Sequence, residues 1–225
     1  MGKKANIALF IPHAGCNNAC SFCNQRLISG EQTVPTAEDI TKQLTQAVSY
    51  LNPAYSTEIA FFGGSFTAIP REYMISLLEA AKPFVEKGFF SGIRISTRPD
   101  AIDEEVLEIL KSYKVTAIEL GAQSTDSDVL KLNHRGHTRE DVVNASHLIK
   151  SKGFSLGLQM MTGLLGDSDE KSLRTCEDII NLKPDTVRIY PTIVLEGTEL
   201  GELYKNNKYF PQTLENAVGL CAILL

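Results

Sequence analysis

Apolar positions along this chain fall into two alternating rhythms. Six short runs are dense in β-branched and aliphatic residues: Ile7 to Ile11, Glu58 to Phe62, Gly92 to Ser96, Ala117 to Ala122, Ser155 to Met161 and Thr186 to Tyr190. Each has the length and composition of a strand. The segments between them have helical spacing. Ile40, Leu44, Ala47 and Leu51 recur on one face, as do Val106, Ile109, Leu110 and Tyr113. Strands that alternate with helices of this kind predict βα units around a parallel sheet, with the apolar helix faces packed on its outside.

Punctuation residues agree with this division. Thr36 stands three residues before Asp39, Asp103 precedes Glu104 and Glu105, and Thr138 stands three before Asp141. Each offers an oxygen to the unpaired amides of a first helical turn. Gly88 and Gly153 fall where helices should stop. Pro184 and Pro191 bracket the sixth strand, since proline suits strand ends better than strand centres. From Pro211 the run Leu214, Val218, Cys221, Leu224 and Leu225 again has helical spacing, with proline allowed in a first turn, and it ends without a stop signal. That ending predicts a barrel domain over residues 1–225 that is truncated at its C-terminus.

Composition narrows the class. At 225 residues and 43% hydrophobic the chain can bury one good core. Its net charge of -5 gives no global basic field of the sort that draws a protein to nucleic acid or anionic membrane, although a local basic groove is compatible with it. No apolar run approaches the roughly 20 residues of a membrane span, and Met1 to Lys4 lead straight into a strand-like run. A cytoplasmic protein without membrane contact is the expectation. Three of the five cysteines lie within eight residues, which in a reducing compartment indicates metal more than disulfide.

Those cysteines, Cys16, Cys20 and Cys23, follow the first strand in the segment Pro12-His13-Ala14-Gly15-Cys16-Asn17-Asn18-Ala19-Cys20-Ser21-Phe22-Cys23-Asn24-Gln25. Loops at the carboxyl ends of barrel strands are where active sites are built. Three thiolates on one short loop can each ligate one iron of a 4Fe-4S cube and leave the fourth iron open for a ligand. The same residues permit a structural zinc, with His13 completing a Cys3His tetrahedron. Spacing alone leaves both open. Phe22 would by itself be a core aromatic and Asn24 a turn residue.

Cys-x3-Cys-x-aromatic-Cys after a first strand is the signature of the radical SAM enzymes, and the chain resembles them both in this loop and in several later segments. Phe61-Phe62-Gly63-Gly64-Ser65-Phe66-Thr67 resembles the family's Gly-Gly motif, whose backbone contacts the amino end of S-adenosylmethionine; physically, two glycines let a chain approach a ligand closely. Ser96-Thr97-Arg98-Pro99-Asp100, Gly121-Ala122-Gln123-Ser124 and Asn133-His134-Arg135-Gly136-His137-Thr138 are similar to the Elongator catalytic subunit. Gly163-Leu164-Leu165-Gly166 and Val187-Arg188-Ile189-Tyr190 are similar to the oxygen-independent coproporphyrinogen III oxidases. The resemblance implies an open (βα)6 partial TIM barrel in which Cys16, Cys20 and Cys23 hold a 4Fe-4S cluster. It implies that Phe22, Asn24, Gly63, Gly64, Ser65, Ser96, Arg98, Gln123, Arg135 and Gln159 line the S-adenosylmethionine site, with Gln123 and Arg135 on the ribose and the methionine carboxylate. Arg suits a carboxylate through its planar, permanently charged fork. Three positions depart from the pattern: Ser96 stands where an acidic residue is expected near the ribose, Gln159 where the oxidases carry aspartate, and Leu165 where proline is usual.

The implied chemistry is reductive cleavage of S-adenosylmethionine and hydrogen abstraction by a deoxyadenosyl radical, with an external one-electron donor. The cofactor carries the difficult step while the protein positions groups and excludes water. The resemblance leaves two substrate classes, a tRNA as for the Elongator subunit or a small molecule as for the coproporphyrinogen oxidases. A non-catalytic zinc or iron-sulfur binding module is the alternative from another class.

Overall fold

The computed structural model describes residues 3–11, 16, 20–24, 27, 30 and 33–225. The six apolar runs are strands, and all but β3, which is shifted by one residue, are longer than the run: β1 (Lys3–Ile11), β2 (Tyr55–Gly63), β3 (Ile93–Thr97), β4 (Val115–Gln123), β5 (Ser155–Thr162) and β6 (Thr186–Pro191). They form one sheet in sequence order, and every ladder is parallel. β1 and β6 are its two edges, which is why Pro191, lacking an N–H, is tolerated as the last residue of β6. The sheet curls on itself: the Arg188 guanidinium of β6 lies over the Phe62 ring of β2, 5.4 Å from its centroid, although those strands share no ladder. The architecture is an open six-stranded α/β half-barrel, a partial TIM barrel.

Helices follow the strands. They are α1 (Ala37–Val48), α2 (Arg71–Glu86), α3 (Glu104–Ser112), α4 (Ser127–Leu132), α5 (Arg139–Ser151), α6 (Asp169–Leu182), α7 (Glu199–Lys205) and α8 (Leu214–Leu224). Thr36 and Thr138 close reciprocal capping boxes with Asp39 and Asp141, and Asp103 accepts from the Val106 amide. Such caps each contribute about 1 kcal/mol by satisfying orphan donors. Gly88 and Gly153 follow the ends of α2 and α5 with φ of 76° and 83°, the left-handed turn that glycine makes without strain.

Period-two alternation divides β2 to β5 between two environments. Ile59 and Phe61, Ile93 and Ile95, Ile118 and Leu120, and Leu156 and Leu158 join Ile40, Leu44, Leu77, Leu107, Leu110, Val142 and Ile149 in one buried core. Burial of each such side chain stabilises by roughly 1.5–3 kcal/mol. The intervening residues face the lumen.

Three sequence expectations need correction. Leu51 lies past the end of α1, where it packs against the core from the following turn. Pro211 precedes the α8 cap, Thr213, and so stands outside the helix. Leu214 and Val218 are exposed, and α8 buries Leu220 and Leu224 instead.

Candidate active site

The carboxyl ends of β1 to β5 carry nearly every residue singled out from sequence. After β1, Cys16, Cys20 and Cys23 belong to a loop anchored at three points. The Cys23 amide donates to the Cys20 carbonyl at 3.0 Å, which closes a turn around Ser21 and Phe22. The Ser21 hydroxyl donates to Asn133 Oδ1 at 2.7 Å, and its carbonyl accepts from the Leu200 amide at the start of α7 at 2.8 Å. Asn133 sends its amide to the Val129 carbonyl at 2.7 Å and to the Leu165 carbonyl at 2.9 Å. It therefore joins the cysteine loop, α4 and the loop after β5. Only the backbone oxygen of Leu165 is used, so leucine in place of proline there removes nothing from this joint.

Gly63 and Gly64 bring the next loop against β1. The Gly64 amide donates to the Ile11 carbonyl at 2.9 Å, and a Cβ on Gly63, at φ 111°, would stand 3.1 Å from that oxygen. Two residues on, Ser65 Oγ is 3.8 Å from Cys16 Sγ. Thr67 hydrogen-bonds both Thr97 Oγ1 and the Ala101 carbonyl at 2.6 Å, tying this loop to the turn after β3. Arg98, in that turn, pairs with Asp100 at 3.0 Å.

At the end of β4 the ladder to β5 slips between Gly121 and Gln123, and Gln123 takes a φ of 64°. A bulge of this kind re-aims a side chain. The result is a buried Gln123 Oε1 with no hydrogen-bond partner among the described residues. Beside it, Arg135 donates from Nη1 to Cys20 Sγ at 3.1 Å and from Nη2 to the Gly121 carbonyl at 2.6 Å. A Cβ on Gly121 would meet Gln123 Nε2 at 2.9 Å, so glycine makes the room these groups share. Below them, His137 donates from Nε2 to the Ala122 carbonyl at 3.1 Å. Burial, then the Arg135 charge, depress the His137 pKa to about 4, so the ring is neutral at ordinary pH.

Ser96, Gln159 and Asn24 are placed less simply. Ser96 Oγ is buried without a partner among the described residues, whereas Gln159 donates to Glu119 Oε2 at 2.8 Å. Asn24 accepts from the Leu27 amide at 3.3 Å, the turn role its type suggests, and its side chain lies near Gly197. Phe22 is partly buried. His13 falls outside the described residues.

Sequence reasoning missed a charged layer in the lumen beneath these loops. Arg94 of β3 meets Glu58 of β2 at 2.7 Å and Glu119 of β4 at 3.0 Å, and Glu119 also meets Arg188 of β6 at 2.8 Å. Glu119 is 2% exposed, which would be costly for a carboxylate without these cations and the Gln159 amide. The available signal was a charge flanked by aliphatics inside a short strand, as in Ile93-Arg94-Ile95 and Ile118-Glu119-Leu120.

Among the described residues, no three His, Cys, Asp or Glu side chains converge as a site for a single metal ion. A cubane asks for a different arrangement, because each thiolate binds a different iron. The donor chemistry of Cys16, Cys20 and Cys23 fits it, and the unpartnered Ser96 Oγ and Gln123 Oε1 fit a polar ligand alongside.

The radical SAM superfamily model matches residues 10–179, from the end of β1 into α6. The chain belongs to the radical SAM superfamily. A second model, the radical SAM C-terminal domain, matches residues 184–225. Two curated relatives are similar over 189 residues, 75% of this chain. They are the tRNA uridine(34) acetyltransferase of Methanocaldococcus jannaschii, at 32% identity, and Elongator complex protein 3 of Homo sapiens, at 31%. The chain spans only about a third of their length, 35% and 34%. Among solved structures, Elp3 of the archaeon Methanocaldococcus infernus superposes with a TM-score of 0.76 at 25% identity, over 100% of this chain and 54% of that one. Coproporphyrinogen III oxidase (HemN) from Escherichia coli, described as a radical SAM enzyme, matches with 0.67 at 17% over 99% and 51%, a likeness of fold alone. The family implies S-adenosylmethionine and a 4Fe-4S cluster. No helix among the described residues is long and apolar enough to cross a membrane.

Proposed function

We propose that this protein is an Elongator-like radical SAM enzyme that acts on a tRNA uridine, with residues 1–225 as its barrel. The observation that carries the reading is Arg135, whose guanidinium joins the Cys20 thiol to the Gly121 carbonyl beside the unpartnered Gln123 oxygen. One residue thus connects the three-cysteine loop to the re-aimed end of β4, where a cluster and its bound cofactor would have to meet. Relatives named for tRNA uridine(34) acetylation and for Elongator favour RNA over a coproporphyrinogen-like small molecule.

In this reading Cys16, Cys20 and Cys23 hold the cluster, and Arg135 fixes the methionine carboxylate with a charge-assisted contact. Gly63, Gly64 and Ser65 offer backbone and hydroxyl groups to its amino end. Gln123 and Ser96 supply polar atoms to the ribose. A cluster held by these thiolates would supply the electron for reductive cleavage of S-adenosylmethionine, the chemistry that initiates hydrogen abstraction from substrate. Phe62 and the curled strands would limit water in that space, which protects reactive intermediates from quenching. Arg98, steadied by Asp100, and Gln159, steadied by Glu119, complete the polar wall of the cofactor site.

Anaerobic reconstitution tests this. The protein should take up about four irons, as a cubane requires, turn brown, and release methionine and 5′-deoxyadenosine from S-adenosylmethionine under a strong reductant. Cys16→Ala, Cys20→Ala and Cys23→Ala should each lose the colour. A colourless protein holding one zinc would make the chain a metal-binding module instead.

A further inference from the structure

We propose that the charged layer of the lumen is a substrate-recognition floor, in which Arg188 presents hydrogen-bond donors to a neutral carbonyl oxygen of the substrate; this rests on the radical SAM reading above. The layer is built, not incidental. Five strands contribute to it, Glu58, Arg94, Glu119, Gln159 and Arg188, and Gly157 leaves the room that Glu119 occupies, since a Cβ there would stand 2.9 Å from Glu119 Cγ.

Exposure singles out one member. The side chains of Arg94, Glu119 and Glu58 are 6%, 2% and 16% exposed, whereas that of Arg188 is 35% exposed. Arg188 is also held in place, by Glu119 at 2.8 Å and by the Phe62 ring across the lumen. A guanidinium pinned in this way keeps a fixed edge, with more N–H donors than one ion pair consumes.

The chemistry of the ligand follows from what the floor has left to offer. Both Glu119 oxygens are already accepting, Oε1 from the two arginines and Oε2 from Gln159, so the floor has little to give a cation. What it offers is donors, the N–H groups of Arg188 that its ion pair with Glu119 leaves over. The ligand must therefore accept. Glu58, Arg94, Glu119 and Arg188 sum to no net charge, and an anion brought into this enclosed layer would leave it negative. A neutral carbonyl adds a hydrogen bond and no charge. Two sources carry that group, a uracil ring and an acyl thioester.

The test uses the full-length protein, reconstituted with its cluster, as wild type, Arg188→Lys, Arg188→Gln and Phe62→Leu. Arg188→Lys keeps a cation for Glu119 but loses the planar edge, and Phe62→Leu keeps the apolar contact but loses the ring face. Two affinities are read: that for acetyl-CoA, and the ratio between anticodon stem-loops carrying uridine or cytidine at the modified position, cytidine having an amino group in place of one carbonyl. At least a tenfold loss in acetyl-CoA affinity assigns the floor to the acyl carbonyl. At least a tenfold loss of uridine-over-cytidine discrimination assigns it to the base. Either result in variants that melt like wild type supports the proposal. If wild type binds and discriminates, and all three variants match it within twofold, the floor is structural and the proposal is overturned while the radical SAM reading stands. If wild type cleaves S-adenosylmethionine but neither binds acetyl-CoA nor discriminates uridine from cytidine, the proposal is overturned and the radical SAM reading stands; if it does not cleave S-adenosylmethionine either, both fall.

Discussion

Ser21, between two of the three clustered cysteines, donates its hydroxyl to the side chain of Asn133 at 2.7 Å, and both residues are wholly buried. Asn133 is thus the fixed point against which the cysteine loop is held, because its amide is spent on two backbone carbonyls of other elements. Asn133→Ala removes these bonds together and leaves a buried hydroxyl and the Leu165 carbonyl unsatisfied. Each such loss costs about 1–3 kcal/mol. The expected outcome is a lower melting temperature and a cluster lost faster under chelator than in wild type, and Ser21→Ala should reproduce part of the second effect. Iron retention equal to wild type in a folded Asn133→Ala protein would remove Asn133 from this role.

Arg135 touches both a cysteine thiol and the strand end beside Gln123, so its removal should act on two readouts at once. Arg135→Ala is expected to keep its iron but to bind S-adenosylmethionine one to two decades more weakly, the equivalent of about 1.5–3 kcal/mol for a charge-assisted contact. It should also lower the cluster's reduction potential, since a cation and an N–H donor at the sulfur favour the reduced state. Calorimetry and a redox titration measure the two effects. An unchanged affinity together with an unchanged potential returns Arg135 to a purely structural position.

His137 contributes a pH dependence whose direction is fixed by its burial. Its folded pKa, about 4, lies below the ordinary value of 6.5 because burial and then the Arg135 charge disfavour the imidazolium, against the smaller opposing effects of the Ala122 and Arg135 backbone and Asp141. The unfolded chain therefore binds more protons between those two values, so stability falls as pH drops from about 6.5 towards 4 and is insensitive above. The full effect is on the order of 3 kcal/mol. Denaturant melts from pH 7.5 to 4.5 should show this loss in wild type and a flatter profile in His137→Gln. Parallel profiles would mean that other groups carry the acid sensitivity.

Much of the fold was legible because its determinants are local. The boxes at Thr36 and Thr138 and the glycines at 88 and 153 specify helix ends from a few neighbouring residues, and the structure has all four. Strand ends were less so: β1 begins at Lys3 rather than Ile7, since its first residues gain ladder partners in β2 that no local pattern announces. Residue-level geometry at the site depended on pairings across more than a hundred positions, such as Ser21 with Asn133 and Cys20 with Arg135. The charged lumen is the extreme case. Period-two alternation puts Arg94 and Glu119 on the face opposite the core, and taken alone that face looks solvated. Only closure of the sheet, which sets β6 across from β2, makes it an interior. Cys176 packs against the core with its thiol near the Leu224 carbonyl, as a small hydrophobe on an amphipathic helix should. Cys221, by contrast, is half-buried beside the exposed Val218 that was expected to share its face.

Gly121 and Gly63 allow stability and cofactor affinity to be separated. A methyl on Gly121 would press on Gln123 Nε2 at 2.9 Å and approach Arg135 Nη2 at 3.5 Å, the far ends of two flexible side chains, and Gly121 has no left-handed backbone to strain. Those ends can move, so Gly121→Ala should cost less than about 1 kcal/mol in folding, within the range of mild substitutions. Moving them, however, displaces the two groups assigned to the cofactor, and S-adenosylmethionine affinity should fall at least tenfold. Gly63 is the converse case. Its φ of 111° disfavours any side chain, and its new Cβ would meet the Ile11 backbone, which cannot swing aside. Gly63→Ala should therefore destabilise by about 1–3 kcal/mol through backbone strain, and lose affinity as well. Denaturant melts and calorimetry on both variants decide the matter: if Gly121→Ala binds as wild type does, Gln123 and Arg135 are not the cofactor's partners, whatever their distance from the cysteine loop.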